Sequence, residues 1–199
     1  MGFIMKFRVI VFSLLAVIMA AGAVFSADTY SIDLSHSYAG FSVRHLVITN
    51  VKGNFASFSG EITFDENDTI KSSANVIIDI ASINTSNADR DKHLRSADFF
   101  DVEKYPEMTF VSTGVEKDGD DMILNGRLTM HGVTKDISIP FEFLGKVTDP
   151  WGKERIAFEG ETKLSRKEYG MTWSKTIETG GLIVGDEIKI ELQIEAVKK

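Results

Sequence analysis

From Tyr30 onward, apolar residues recur mostly at every second position, the period that sends successive side chains to opposite faces of a β-strand. The last segment is the clearest. Ile188, Ile190, Leu192, Ile194 and Ala196 alternate with Lys189, Glu191, Gln193 and Glu195, which gives one dry face and one wet face. Phe41 and Val43 alternate with Ser42 and Arg44, Ile62 and Phe64 with Glu61 and Thr63, and Val76, Ile78 and Ile80 with Asn75 and Asp79. Met108 and Phe110, then Leu124, Leu128 and Met130, then Ile137, Ile139, Phe141 and Phe143, then Ile156, Phe158 and Leu164 extend the pattern.

Turn chemistry separates these runs at Asp65-Glu66-Asn67-Asp68, Asp118-Gly119-Asp120-Asp121, His131-Gly132 and Asp149-Pro150-Trp151-Gly152. The spacing predicts an all-β, antiparallel fold of about eight strands. A sandwich and a closed barrel both satisfy it. Gly60, Gly126 and Gly160 inside predicted strands favour the barrel, because they suit bends or leave room beside a bound chain.

One segment breaks the period. Ser86 to Arg95 has Ser86 and Asp89 in a capping-box pattern, Asp89 and Asp91 in the first turn and Arg95 near the end, which predicts a short surface helix anchored by Leu94. Phe99 and Phe100 then return the chain toward the core.

The start of the chain adds a compartment. Lys6 and Arg8 precede an apolar run from Val9 to Ala21 that ends in small residues, the layout of a secretory signal peptide, so residues 1–26 are expected to be removed and 27–199 to form one domain in the periplasm. The run is too short for a spanning helix of roughly 20 residues. No cysteine is present to carry a lipid or a disulfide, so stability must come from the core. The net charge of −7 becomes about −9 when Lys6 and Arg8 are removed, which disfavours nucleic acid and anionic membrane surfaces as main partners. Stable membrane insertion is not expected, and a homodimer is left open.

Four histidines, His36, His45, His93 and His131, raise the question of a metal. None forms a close pair, and a site would need three distant segments to converge, so neither a metal nor another cofactor is expected. No Gly-x-Ser-x-Gly elbow or phosphate-cradling glycine loop is present either. The aromatic residues are better placed than the polar ones. An eight-stranded barrel either fills with side chains or encloses one ligand.

Tyr30-x-Ile-Asp-x-x-His36-Ser37, Phe41-Ser-Val-Arg44-His45-Leu46, Gly53-x-Phe55 and Phe58-x-Gly60 form a set of spaced motifs. The longest is Arg90-Asp91-x-His93-Leu94-x-Ser96-x-Asp98-Phe99-Phe100-Asp101-x-x-x-Tyr105-Pro106. With Leu128-Thr-Met-His-Gly132-Val-Thr134, Asp149-Pro-Trp-Gly152 and Gly185-Asp-Glu-Ile188, the set resembles the YceI-like family of polyisoprenoid-binding proteins over essentially the whole mature chain. The resemblance implies an extended lipocalin-like β-barrel with one or two short helices. It also implies an isoprenoid chain held in an internal tunnel, a periplasmic setting and no established catalysis.

The expected partner is therefore a long-chain isoprenoid or similar apolar lipid, carried for transport or storage. A periplasmic enzyme acting on a lipid or quinone, and a ligand-free protective barrel, are the competing readings. Candidate wall residues are Phe41, Val43, Phe55, Phe58, Ile62 and Ile78, and beyond them Phe110, Leu128, Phe141, Phe158, Trp173 and Ile190. At about 0.3 kcal/mol per heavy atom, a chain of about 40 carbons would bind with roughly nanomolar affinity. Arg44, Arg90 and His93 are candidate head-group contacts; alternatively, Arg90 and His93 belong to a network pinning the helix to the barrel.

Overall fold

The computed structural model describes residues 27–119, 121–176 and 182–199, so the expected signal peptide lies outside the described residues, as does Asp120 of one predicted turn. The alternating segments fold into eleven strands: β1 Asp28–Ile32, β2 Tyr38–His45, β3 Thr49–Phe55, β4 Phe58–Phe64, β5 Ser73–Asp79 and β6 Ile83–Asn84, followed by β7 Glu107–Asp118, β8 Asp121–Met130, β9 Val133–Thr148, β10 Glu154–Ser165 and β11 Val184–Lys198. All pairings are antiparallel, in the order β1-β4-β5-β7-β8-β9-β10-β11-β2-β3-β6.

The sheet closes because β11 serves two partners on one edge: its C-terminal half pairs β1 through Ala196 and Ile32, and its N-terminal half pairs β2 through Ile190 and Phe41. β1 and β2 therefore form one stave broken by a 3-10 turn at Leu34–His36, where the Asp33 carboxylate accepts from the N–H of Ser35. β3 and β4 likewise share a stave, as do β5 and β6, the latter broken where the Asp79 carboxylate accepts from the N–H of Ala81. Eight staves make an antiparallel barrel, and closure removes the exposed sheet edges that an open sheet would leave.

One barrel end carries the turns at Asp65–Asp68 and Asp149–Gly152 together with Asp28 and Lys198. The other carries the β2–β3 turn, the His131-Gly132 turn, the 3-10 turn Arg166–Tyr169 and helix α1, Ala88–Arg95. The helix begins later than the Ser86 capping box predicts. Asn87 is the cap, its side-chain oxygen accepting from the N–H of Arg90 at 2.9 Å, while Ser86 sits outside the helix at φ 60°.

The interior holds two clusters. Phe55, Ile80, Ile83, Met108, Met130 and Tyr169 pack toward the helix end, with Leu94 and Phe100 of the capping segment against them. Tyr30, Ile62, Phe64, Ala74, Ile156 and Ala196 pack toward the opposite end. Among the described residues the register shifts three times, once between Val184 and Ile188 where β11 pairs β2. Between Ala157 and Phe158 the register shifts by Leu144, which is turned outward, and between Ser112 and Gly114 it shifts by Thr113.

Candidate functional site

Because inward positions recur at period two on every stave, the apolar side chains converge on the barrel axis, and there they leave a cavity of about 190 Å³. Nine of the twelve candidate wall residues line it: Phe55 and Phe58, Ile62 and Ile78, Phe110 and Leu128, then Phe141, Phe158 and Ile190. Phe41, Val43 and Trp173 are not among the lining residues. Phe41 packs against Phe55 with ring centroids 5.8 Å apart, and Trp173 lies tilted against Phe99 and edge-on to His93 at the helix end. Val43 occupies β2 two residues further along the same face as Phe41.

Ile32, Ala39, Phe64, Met108, Leu192 and Ile194 also line the cavity. Leu192 and Ile194 share the alternating face of Ile190, so their signal was present in the sequence; Ala39 offers none beyond small size. Gly126 has a packing role. A Cβ there would fall 2.3 Å from Phe110 Cζ, so the glycine lets the Phe110 ring lie against the neighbouring strand.

Among the described residues no Lys, Arg or His lines the cavity; its polar contributors are Ser72, Ser73, Thr162 and Glu159. Such a wall solvates hydrocarbon and gives no counter-charge to an anion. The volume exceeds the roughly 150 Å³ of dry apolar cavities that take up benzene, but is below the roughly 300–1,000 Å³ usual for drug-sized ligands. A long chain therefore needs wall side chains to turn aside.

The candidate head-group residues lie elsewhere. Arg44 is exposed on β2. Arg90 donates from Nε to Thr85 Oγ1 and from Nη2 to the Thr85 carbonyl, each at 2.7 Å. His93 Nε2 lies 2.8 Å from Asp98 Oδ2, with its ring edge-on to Phe99 and Trp173. Arg95 donates to the carbonyls of Ala81 and Ile83 at 2.8 Å. Arg90 and Arg95 thus tie the helix to the staves beneath it.

Two polar features carry no signal in the sequence pattern. Arg166 is 3% exposed and donates to the carbonyls of Met171 and Trp173 at 2.7 Å and of Gly185 at 2.9 Å, so one guanidinium binds the post-β10 loop to the start of β11. Burial draws its pKa down, and Asp186 opposes that shift. Beside it, Tyr169 is 1% exposed and its hydroxyl has no hydrogen-bond partner among the described residues; burial pushes its pKa up to about 12.

Two distant segments, the 3-10 turn capped by Asp33 and the strand β11, converge at one histidine. Asp33, His36 and Glu195 offer ligand atoms within 4.8 Å of one another. Arg155 already supplies positive charge there, with Nη1 at 2.8 Å from Asp33 Oδ2 and 2.6 Å from Glu195 Oε1, while its Nε meets Asp149 Oδ2 at 2.8 Å. The arrangement reads as an ionic knot joining β1, β10 and β11.

Residues 30–196 match the family model described as the YceI-like domain. The chain is 38% identical over 186 residues to the protein YceI of Escherichia coli O17:K52:H18, covering 92% of this chain and 94% of that one. The crystal structure of a Campylobacter jejuni YceI protein superposes with a TM-score of 0.67 at 39% identity, covering 78% of this chain and 90% of that one. A polyisoprenoid binding domain from Saccharophagus degradans superposes with a TM-score of 0.62 at 18% identity, over 85% of this chain and 98% of that one, and shares the fold.

Proposed function

The chain belongs to the family of YceI-like domains, and from that premise we propose that it is a periplasmic carrier holding one long apolar lipid of the isoprenoid class inside its barrel. The observation that carries this reading is the interior cavity, walled by Phe, Ile, Leu and Met side chains and without a cation among its described lining residues. The family and the polyisoprenoid-binding neighbour of the same fold support isoprenoid as the class of cargo. The signal-like segment at residues 1–26 supports the periplasm as the place where the cargo is moved or stored.

Burying a methylene is worth about 0.8 kcal/mol, so a prenyl chain gains from the cavity without any reactive group in the wall. The reading is of a binding protein and not of a catalyst. Native mass spectrometry of the mature protein, desalted gently, tests it: a stoichiometric mass increment that organic extraction removes and identifies as a prenyl lipid is expected. Bare polypeptide mass together with lipid-free extracts overturns the carrier reading.

A further inference from the structure

The β2–β3 turn departs from what both its backbone and its surroundings would ordinarily select. The N–H of Ile48 donates to the carbonyl of His45 at 3.2 Å, and the two central residues, Leu46 and Val47, have φ of 50° and 66°. Tight hairpin turns with two positive φ values favour Asn and Gly, and a β-branched residue there is strained. The N–H of Leu46 is held by the carbonyl of Ile183 at 3.0 Å, which fixes the tip against the start of the last stave. The strained turn projects apolar side chains into solvent: Val47 is 59% exposed and Ile48 81% exposed. Strained, exposed and apolar at once, this turn carries a conformational cost that Asn-Gly at the same positions would avoid.

Its charge is also out of character. On a chain of net charge −7, the stretch Arg44–Lys52 contains two cations and no acid. Arg44 and Lys52 are both exposed, and neither has an ion-pair partner among the described residues. A β-branched pair at a tip flanked by free cations matches the two layers of an anionic bilayer surface, with apolar side chains entering the acyl boundary and cations meeting the headgroups.

We infer that the β2–β3 tip is a docking finger for the surface of an anionic lipid bilayer. The finger stands at the barrel end that also carries helix α1 and the Arg166–Tyr169 turn, so docking sets that end toward the membrane. Two apolar side chains and two cations give reversible, peripheral attachment, which differs from insertion and suits a protein that must leave again. The chain as a whole is net acidic, so attraction to an anionic surface is favoured where Arg44 and Lys52 stand without neighbouring acids. The inference stands on the tip's own residues and holds whatever the barrel carries.

Vesicle flotation of the mature protein tests it, using phosphatidylethanolamine–phosphatidylglycerol vesicles and neutral phosphatidylcholine vesicles. Wild type is expected to float with the anionic vesicles, less in 1 M salt, and weakly with the neutral ones. Val47→Gly with Ile48→Thr should lower the bound-to-free ratio at least tenfold while leaving the melting temperature unchanged or raised, since glycine accepts the left-handed turn. Arg44→Gln with Lys52→Gln should remove the preference for anionic vesicles. Failure of wild type to float, or equal flotation of the Val47→Gly/Ile48→Thr variant, overturns the inference. A concentration-dependent dimer in sedimentation velocity that this variant abolishes, without flotation of wild type, overturns it in favour of contact between two copies. Flotation is read on the polypeptide, so it remains interpretable whether or not lipid co-purifies.

Discussion

Asp91 accepts twice from Thr85, from its N–H at 2.9 Å and from its hydroxyl at 2.5 Å, with the carboxylate buried under the first turn of α1. Thr85 in turn accepts from Arg90, so one threonine joins the end of β6 to two consecutive helical residues. The helix itself is short and polar; what holds it is this contact and the packing of Leu94 beneath it. Asp91→Ala should therefore cost about 2–3 kcal/mol in urea unfolding, because two buried donors lose their acceptor. Asp91→Asn, which keeps one acceptor oxygen, should lose less.

The wall gives a contrast between two residues on inward faces. Ile78 lines the cavity, whereas Val43 lies outside the lining set. Ile78→Trp should place its ring in the cavity and lower co-purified lipid severalfold, with little loss of stability. In a filled core the same change would cost about 1–3 kcal/mol through overpacking. Val43→Trp should leave lipid content near wild type. Mass spectrometry of extracts together with thermal melts of both variants checks the pair.

Much of this was legible because alternation is a local signal. Once the period-two runs were read, nine wall positions followed, since a strand aims every second side chain inward wherever the chain leads. The misses have specific causes. Trp173 sits in a loop, where no period assigns a face, and it covers the helix end beside Phe99. Ser86 and Asp89 matched a capping box, but Ser86 adopts a left-handed φ and Asn87, one residue later, supplies the cap. The Arg155 knot joins residues far apart in the chain, through closure of β11 onto β1 and β2, and the Arg166 clasp reaches backbone carbonyls of a loop, where no period assigns a face. No spacing rule announces such contacts.

That knot contributes to the acid limb of stability, as does Glu154, whose carboxyl the Tyr30 hydroxyl holds below its usual range. Hydrogen bonds from Ser35 first, then from Arg155 and His36, hold the Asp33 carboxyl well below its usual range, and Arg155 does the same for Asp149. Because folding depresses these values, their stabilisation is fully present above the unfolded value of about 3.9 and is lost as pH falls through the folded values. Burial displaces Tyr169 the other way, to about 12, so its contribution is present below an unfolded value of about 10 and is lost as pH rises toward 12. Melting temperature should thus be flat from about pH 5 to about pH 9 and fall on both sides. Arg155→Met should lower it at neutral pH and make the acid limb shallower, since the carboxylates then gain less from folding. Tyr169→Phe should leave the acid limb alone and soften the alkaline one.

Arg90 is held by Thr85, His93 lies against Asp98, and no Lys, Arg or His lines the cavity among the described residues. A pyrophosphate head would have to draw cations away from these partners, whereas a quinone or other neutral prenyl lipid asks nothing of them. Arg90→Gln with His93→Gln should accordingly leave affinity for a prenyl quinone within about twofold of wild type, a difference of about 0.4 kcal/mol, once circular dichroism confirms folding. If pyrophosphate is the cargo, the same pair should weaken it by several kcal/mol through lost charge-assisted hydrogen bonds, and raised salt should weaken it further. Affinities for quinone and pyrophosphate chains of matched length, measured in wild type and in the double variant, separate the two. A loss confined to the pyrophosphate would reverse the assignment to a neutral lipid, because burial of the chain is common to both ligands and only the head group differs.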